Sequence, residues 1–230
     1  MPRPTGETQL KNTTLELMLL PANNRTVTLI EITIAAAGVI GDTTLSLTSA
    51  SLVTVKAGTG LSFLDGTNRK HVLIIEDVSV SGTVEAQISP LIETLSAGAV
   101  APMISGLEPL FGIQEFSYQT QPQEVDTTNL QSGIGMESAL VRSDKTWDVS
   151  GIQIPGDKAL GNIVKKVAED DALFGREVYF NCTTPDGEVR RAAAKIKNYS
   201  ESGGNQNEVK KYSFQLQAQG ASFVRLAPFN

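Results

Sequence analysis

The sequence predicts a mainly β protein, a β-sandwich or barrel with one flanking α-helix and an inserted small β domain, and three observations predict it. Ala159 to Asp171 carries Leu160, Ile163, Val164 and Val167 at i, i+3, i+4 and i+7, an apolar stripe from which Lys165, Lys166 and Glu169 turn away. Elsewhere apolar and polar residues alternate. The cleanest case is Val209 to Gln219, where Tyr212, Phe214, Leu216 and Ala218 interleave with Lys211, Ser213, Gln215, Gln217 and Gln219. Between Ala37 and Gly112 the chain shifts to short Thr, Ser, Val and Leu runs separated by glycine turns. Burying the four branched helix side chains stabilises by roughly 6–12 kcal/mol at about 1.5–3 each, more than so short a helix gains alone. The helix must lie on a sheet.

Taken in order, Leu10 to Leu20 is the first strand, with Leu15, Leu17 and Leu19 alternating with Glu16 and Met18. Pro21 and Asn23-Asn24 turn the chain, and Val27 to Ile34 reads as its antiparallel partner. Ala35 to Gly38 is a joint. Short strands follow at Thr43 to Thr48, Gly60 to Leu64, Lys70 to Asp77 and Thr83 to Ile88, with a hairpin turn at Gly66-Thr67-Asn68. Strand character returns at Gly112 to Tyr118. Gln119 to Met136 is polar and broken by Pro122, Gly133 and Gly135, so it reads as a long loop, which in a compact domain usually has a task. Lys145 to Ile154 is a strand carrying Trp147, read as a core anchor.

Pro155-Gly156-Asp157 then stops the strand and supplies an N-cap carboxylate for the helix, and Gly175 follows its end. Arg176 to Thr183 and Glu188 to Lys197 form a hairpin about Pro185-Asp186-Gly187. A polar loop with Gly203-Gly204 leads to the last strand. These elements divide the chain into a core domain of residues 1–36 and 113–230 and an inserted β-rich outer domain of residues 37–112.

Composition removes several functions. The 25 acidic and 19 basic side chains leave a net charge of −6, without the clustered cations that tight phosphate binding needs. The single cysteine, Cys182, has no partner for an internal disulfide and falls on the apolar side of its strand. No signal-peptide pattern opens the chain, and Val27 to Ile40, the longest apolar stretch, is interrupted by Glu31 and too short for a bilayer. The expectation is a soluble protein made in a cytoplasm.

No catalytic constellation is present. One histidine, His71, offers no material for a histidine-based triad or a multi-histidine metal site and reads as a strand-end residue. Gly133-Ile134-Gly135 is too short for a dinucleotide fingerprint, and no phosphate loop occurs. Glu169-Asp170-Asp171 reads as a solvated helix end. Arg190 and Arg191 point to opposite faces of their strand. No enzyme, cofactor or metal is expected.

The order of the elements carries a resemblance. A leading strand pair comes first, then the polar loop with Glu124-Val125-Asp126-Thr127-Thr128, then a strand bearing Trp147. Leu160-Gly161-x-Ile163-Val164 follows in a helix, then Phe180-x3-Thr184-Pro185-Asp186-Gly187 and a closing Tyr212-Ser213-Phe214-x-Leu216-x-Ala218-x-Gly220. In that order they resemble the tail tube (major tail) proteins of tailed bacteriophages, over about Leu10 to Ala36 and Glu115 to Gly220. The resemblance implies a tail-tube-type fold whose copies join as hexameric rings, the rings stacking into the conduit for DNA ejection. It implies a virion protein synthesised in the host bacterial cytoplasm. Its partners would be itself, other tail proteins such as sheath, terminator and baseplate or tip, and double-stranded DNA in transit without specific binding, with no membrane. The long loop would reach the adjacent ring through Asp126, Thr127, Thr128 and Asn129, and Gln215, Gln217 and Gln219 would face the lumen. Residues 37–112 would be displayed outside the tube. The alternative is a β-rich carbohydrate- or surface-binding module of a tail or injection apparatus, suggested by the Thr/Ser-rich unit from Gly41 to Ile88, in which Phe63 is the sole aromatic.

Overall fold

The computed structural model describes residues 13–22, 24–126, 138–184, 188–203 and 209–225, with side chains at all but 125, 126, 138–142 and 221–225. Among them the protein is mainly β. β1 (Thr14–Leu19) begins a first sheet, after which the chain leaves it. A second sheet is built from β2 (Leu29–Ile34), β3 (Thr44–Val55), β4 (Gly60–Asp65), β5 (Asn68–Leu73), β6 (Val78–Gln87) and β7 (Val100–Ile104). The chain then returns to the first with β8 (Glu108–Leu110), β9 (Ile113–Asp126), β10 (Ser138–Ile152), β11 (Glu177–Thr183), β12 (Val189–Ser202) and β13 (Lys211–Arg225). Strand order is β8-β1-β11-β12-β13-β10-β9 in the first sheet and β5-β4-β7-β2-β3-β6 in the second, all pairs antiparallel.

The helix is where the stripe predicts it. A π-wound segment, Leu160–Lys165, runs into an α-helical turn, Lys166–Glu169, and the predicted Leu160, Ile163, Val164 and Val167 are buried. They pack with Leu15, Leu17, Trp147, Phe180, Phe214 and Leu216 in one core. Trp147 is fully buried, its ring 4.7 Å from that of Phe180 in an edge-on contact. Cys182 sits in the same core, and burial pushes its thiol pKa up.

The expected pairing of β1 with Val27 to Ile34 does not occur. β1 has its two edges filled by β8 and β11, and β2 pairs with β7 and β3. The segment between β1 and β2 is too long for a tight hairpin turn, and Ile32 and Ile34 join the other core. β7 and β8 were obscured in the sequence by Pro102 and Pro109. Each proline is tolerated because no ladder bond is needed from it: β4 bonds β7 at Leu64 and Val100 only, and β8 is an edge strand.

The second sheet curls until its ends meet. Ile74 bridges Ile88, the Ile75 amide donates to the Gln87 carbonyl at 3.1 Å and that of Ser89 to Leu73 at 2.9 Å. The result is a small barrel, filled by Ile32, Leu47, Phe63, Val72, Ile88 and their neighbours. It rests on the first sheet at β1 and β11, where Gly60 allows close approach: a Cβ there would stand 2.4 Å from Thr14 Oγ1.

Candidate assembly interface

The two sheets treat their margins differently. In the barrel the outermost strands, β5 and β6, are joined where their ends meet, through the Ile74–Ile88 bridge and the two amide bonds beside it. In the seven-stranded sheet β8 and β9 have one strand neighbour each among the described residues; β8 is short, with Pro109 and Leu110 buried, and β9 is the long margin.

The β9 edge is long and leaves the sheet. β10 pairs with β13 from Thr146 to Ile152 but with β9 from Ser138 to Gly151. Beyond Thr146 the hairpin therefore continues as a two-stranded arm. Thr120, Gln121, Pro122, Gln123 and Glu124 are exposed on both of its faces. The expected loop from Gln119 is thus strand as far as Asp126, an edge strand that accommodates Pro122. Of the inter-ring candidates, Asp126 ends β9, its side chain outside the description, and Thr127, Thr128 and Asn129 lie outside the described residues. Pro185-Asp186-Gly187 and Gly204 of the predicted turns also lie outside them.

The sheet face opposite the helix is polar, and part of it is open. Gln215 Nε2 donates to Asp148 Oδ1 at 2.8 Å, Gln119 Nε2 to Asp148 Oδ2 at 3.3 Å and Ser150 Oγ to Glu115 Oε2 at 3.3 Å. A shallow concavity of about 450 Å³ lies over these groups. Gln217 shares the face, in register with Thr146 and Lys195. Gln219 departs from the row. It precedes Gly220, at φ +84, where β13 carries extra residues against Ala192 and Ala194 of β12, and its amide donates to the Gln217 carbonyl at 3.3 Å. Alternation alone gave no sign of that bulge. Nor is the face free of cations: Lys195 and Lys197 stand across from Gln217 and Gln215.

Other charged groups are placed structurally. Arg190 pairs with Glu188 and lies 4.3 Å over the Tyr118 ring, whereas Arg191 is 9% exposed on the opposite face, as expected for consecutive strand residues. Asp170 accepts the Ala172 amide at 2.9 Å, and Glu169, Asp170 and Asp171 are all exposed. Lys165 pairs with Glu201, tying the helix to β12. Phe174 is 78% exposed beside a groove lined by Val167, Ile196 and Tyr199. The Tyr199 hydroxyl is held in its neutral form by burial first and by Glu201 second. Among the described residues no cluster of three or more histidine, cysteine or acidic residues is arranged to hold a metal, and no helix is long and apolar enough to cross a membrane.

No family model and no curated protein matches the chain. Solved structures do. A chain from the tail of an empty gene transfer agent particle, refined helically with C6 symmetry, aligns with 18% identity and TM-score 0.41 over 52% of this chain and 87% of its own. A chain from the virion of a native gene transfer agent particle gives the same identity and TM-score over 52% of this chain and 89% of its own. At such identity and TM-score neither likeness decides fold or function.

Proposed function

We propose that this chain is a structural virion protein of the tail tube type, whose seven-stranded sheet is completed by neighbouring copies in rings that stack into a conduit for DNA. One observation carries the reading. Among the described residues the small barrel closes where its end strands meet, whereas the larger sheet has no strand alongside β8 or β9 on the outer side, and β9 is prolonged into a polar arm. Such margins are a liability in a monomer and a joint in an assembly. The order of sequence elements supports the tail tube class independently.

In this reading β8 and β9 meet adjacent subunits of a hexameric ring, and the arm, with Asp126 to Asn129 near its end, reaches the next ring. The barrel stands outside as a separate unit. The open polar face bearing Gln215 and Gln217 lines the lumen, where the carboxylates of Asp148 and Glu115 offset Lys195 and Lys197 and so weaken the hold of the face on a passing polyanion. The carbohydrate-binding alternative gains nothing, since Phe63, the aromatic of its unit, is fully buried. Negative-stain imaging of the purified chain tests the proposal: rings or tubes of constant diameter support it, and a stable monomer that retains glycan overturns it in favour of the binding module.

A further inference from the structure

Glu16 occupies a place that a carboxylate should avoid. It lies on β1, paired with Asn181 of β11 and Pro109 of β8, and its side chain points away from the helix-side core into the seam beneath the barrel. It is 2% exposed. Asn181 Nδ2 donates to Oε2 at 3.0 Å, but Oε1 is buried without a partner in hydrogen-bonding geometry. The hydroxyl oxygens of Thr13 and Thr14, on the same stretch of chain, are also buried and unpartnered. A carboxyl this buried, with Asn181 donating to one oxygen, is costly to hold as the anion and cheaper to hold as the acid, whose O–H can be given to a neighbouring oxygen.

The opposite wall belongs to the barrel, through Thr59, Gly60 and β5. The ionisable groups on the seam side of the elements meeting here are His71 and Arg69 of β5, Arg191 of β12 and Tyr179 of β11, with the thiol of Cys182 on the far side of β11. On the turn that leads to Thr59, Lys56 is engaged with Asp77 at 3.2 Å. The barrel is joined to the sheet by two segments, between β1 and β2 and between β7 and β8. The seam is therefore what fixes one body against the other.

We propose that the Glu16 carboxyl is a proton-operated latch, closing the barrel onto β1 and β11 when protonated and releasing it when ionised. Burial pushes its pKa from 4.5 up to about 7, against smaller opposing effects of Asn181, Thr59 and the Gly60 amide. The group's folded-state pKa is raised, so its contribution is full below pH 4.5 and is lost as pH rises through about 7. If opening restores the ordinary value, the closed-to-open ratio falls roughly 30-fold between about pH 5.5 and pH 8. This holds for the single chain and does not rest on the tube assignment.

Amide hydrogen exchange on the full chain, corrected for the intrinsic pH dependence, tests it. Protection at Thr59 to Ser62 should fall about 30-fold over that range, while Phe180 and Leu216 keep theirs. Glu16→Gln should abolish the change. A Glu16→Gln protein with the wild-type pH profile overturns the proposal, as does a loss of protection at Phe180 and Leu216 in step with the seam. Carbon-13 titration of the Glu16 carboxyl in the unmutated protein decides independently of the variant: a midpoint near 7 supports the latch, and one near 4.5 overturns it.

Discussion

Asp157 holds the backbone of Phe111: its Oδ2 accepts the Phe111 amide at 2.8 Å while Oδ1 accepts the Leu160 amide at 3.0 Å. The same residue is held through its other backbone group, because the Tyr212 hydroxyl donates to the Phe111 carbonyl at 3.0 Å. One carboxylate thus caps the helix and pins the chain where it re-enters the sheet ahead of β9. Asp157→Ala should cost about 2.5–4 kcal/mol, a cap of about 1 plus a buried charge-assisted bond of about 1.5–3. Asp157→Asn should cost less, and Tyr212→Phe about 1 kcal/mol. Urea denaturation of the three variants measures these values; an Asp157→Ala protein as stable as the parent would show that neither bond matters.

The arm should be dispensable for folding and needed for stacking. Thr120 and Lys145 are cross-strand partners, so residues 121–144 can be replaced by an Asn-Gly turn without altering the register below. The shortened protein should keep its melting temperature within a few degrees, since both faces of the arm are exposed at Thr120 to Glu124. It should form single rings and no tubes. Full-length tubes from this variant would remove the arm from the inter-ring contact.

Lysine substitution separates the glutamines. Gln217→Lys adds a cation across from Lys195, whereas Gln215→Lys sets one against Asp148, which compensates it. Assembled Gln217→Lys particles should retain or slow double-stranded DNA more than Gln215→Lys particles at low salt, the difference fading as salt rises. DNA passage unchanged in both at low salt would place this face away from the lumen.

Acid should loosen the barrel before it touches the helix-side core. Asp65 accepts from Lys70 Nζ at 2.6 Å and from the Ser96 amide at 3.1 Å, and Asp77 from the Ala57 amide at 2.8 Å. Lys70, and then Ser96, hold the Asp65 pKa below 3.8; the Ala57 amide does the same for Asp77, with Lys56 adding to it. Both values are depressed on folding, so their stabilisation is present above pH 3.8 and lost as pH falls through the folded values. Exchange protection in β4 and β5 should decline below pH 4 ahead of that around Trp147, and Asp65→Asn should flatten the decline. Simultaneous loss at both places would contradict this.

Much of this was legible in the sequence because local period and burial coincide. The helix stripe from Leu160 to Val167, the Trp147 anchor, the Cys182 core position and the Asp157 cap are each decided by neighbours a few residues away. Pairing is decided by distance along the chain. β1 chooses β11, and alternation in Leu15 and Leu17 says which face is buried without saying which strand lies alongside. Proline hid β7 and β8 and made the start of the arm look like loop, because sequence alone does not tell an edge from an interior strand. Glu16 had no signal at all beyond its place between Leu15 and Leu17. Its burial arises from a barrel folded from residues that follow it.

A reconstruction of the assembled particle at strand resolution tests the central claim most directly. It should show each seven-stranded sheet continued by a neighbouring copy at β8 and β9, with the closed barrels outside. A molecule that stays single at high concentration, or copies joined through the barrels while β8 and β9 remain bare, would contradict it.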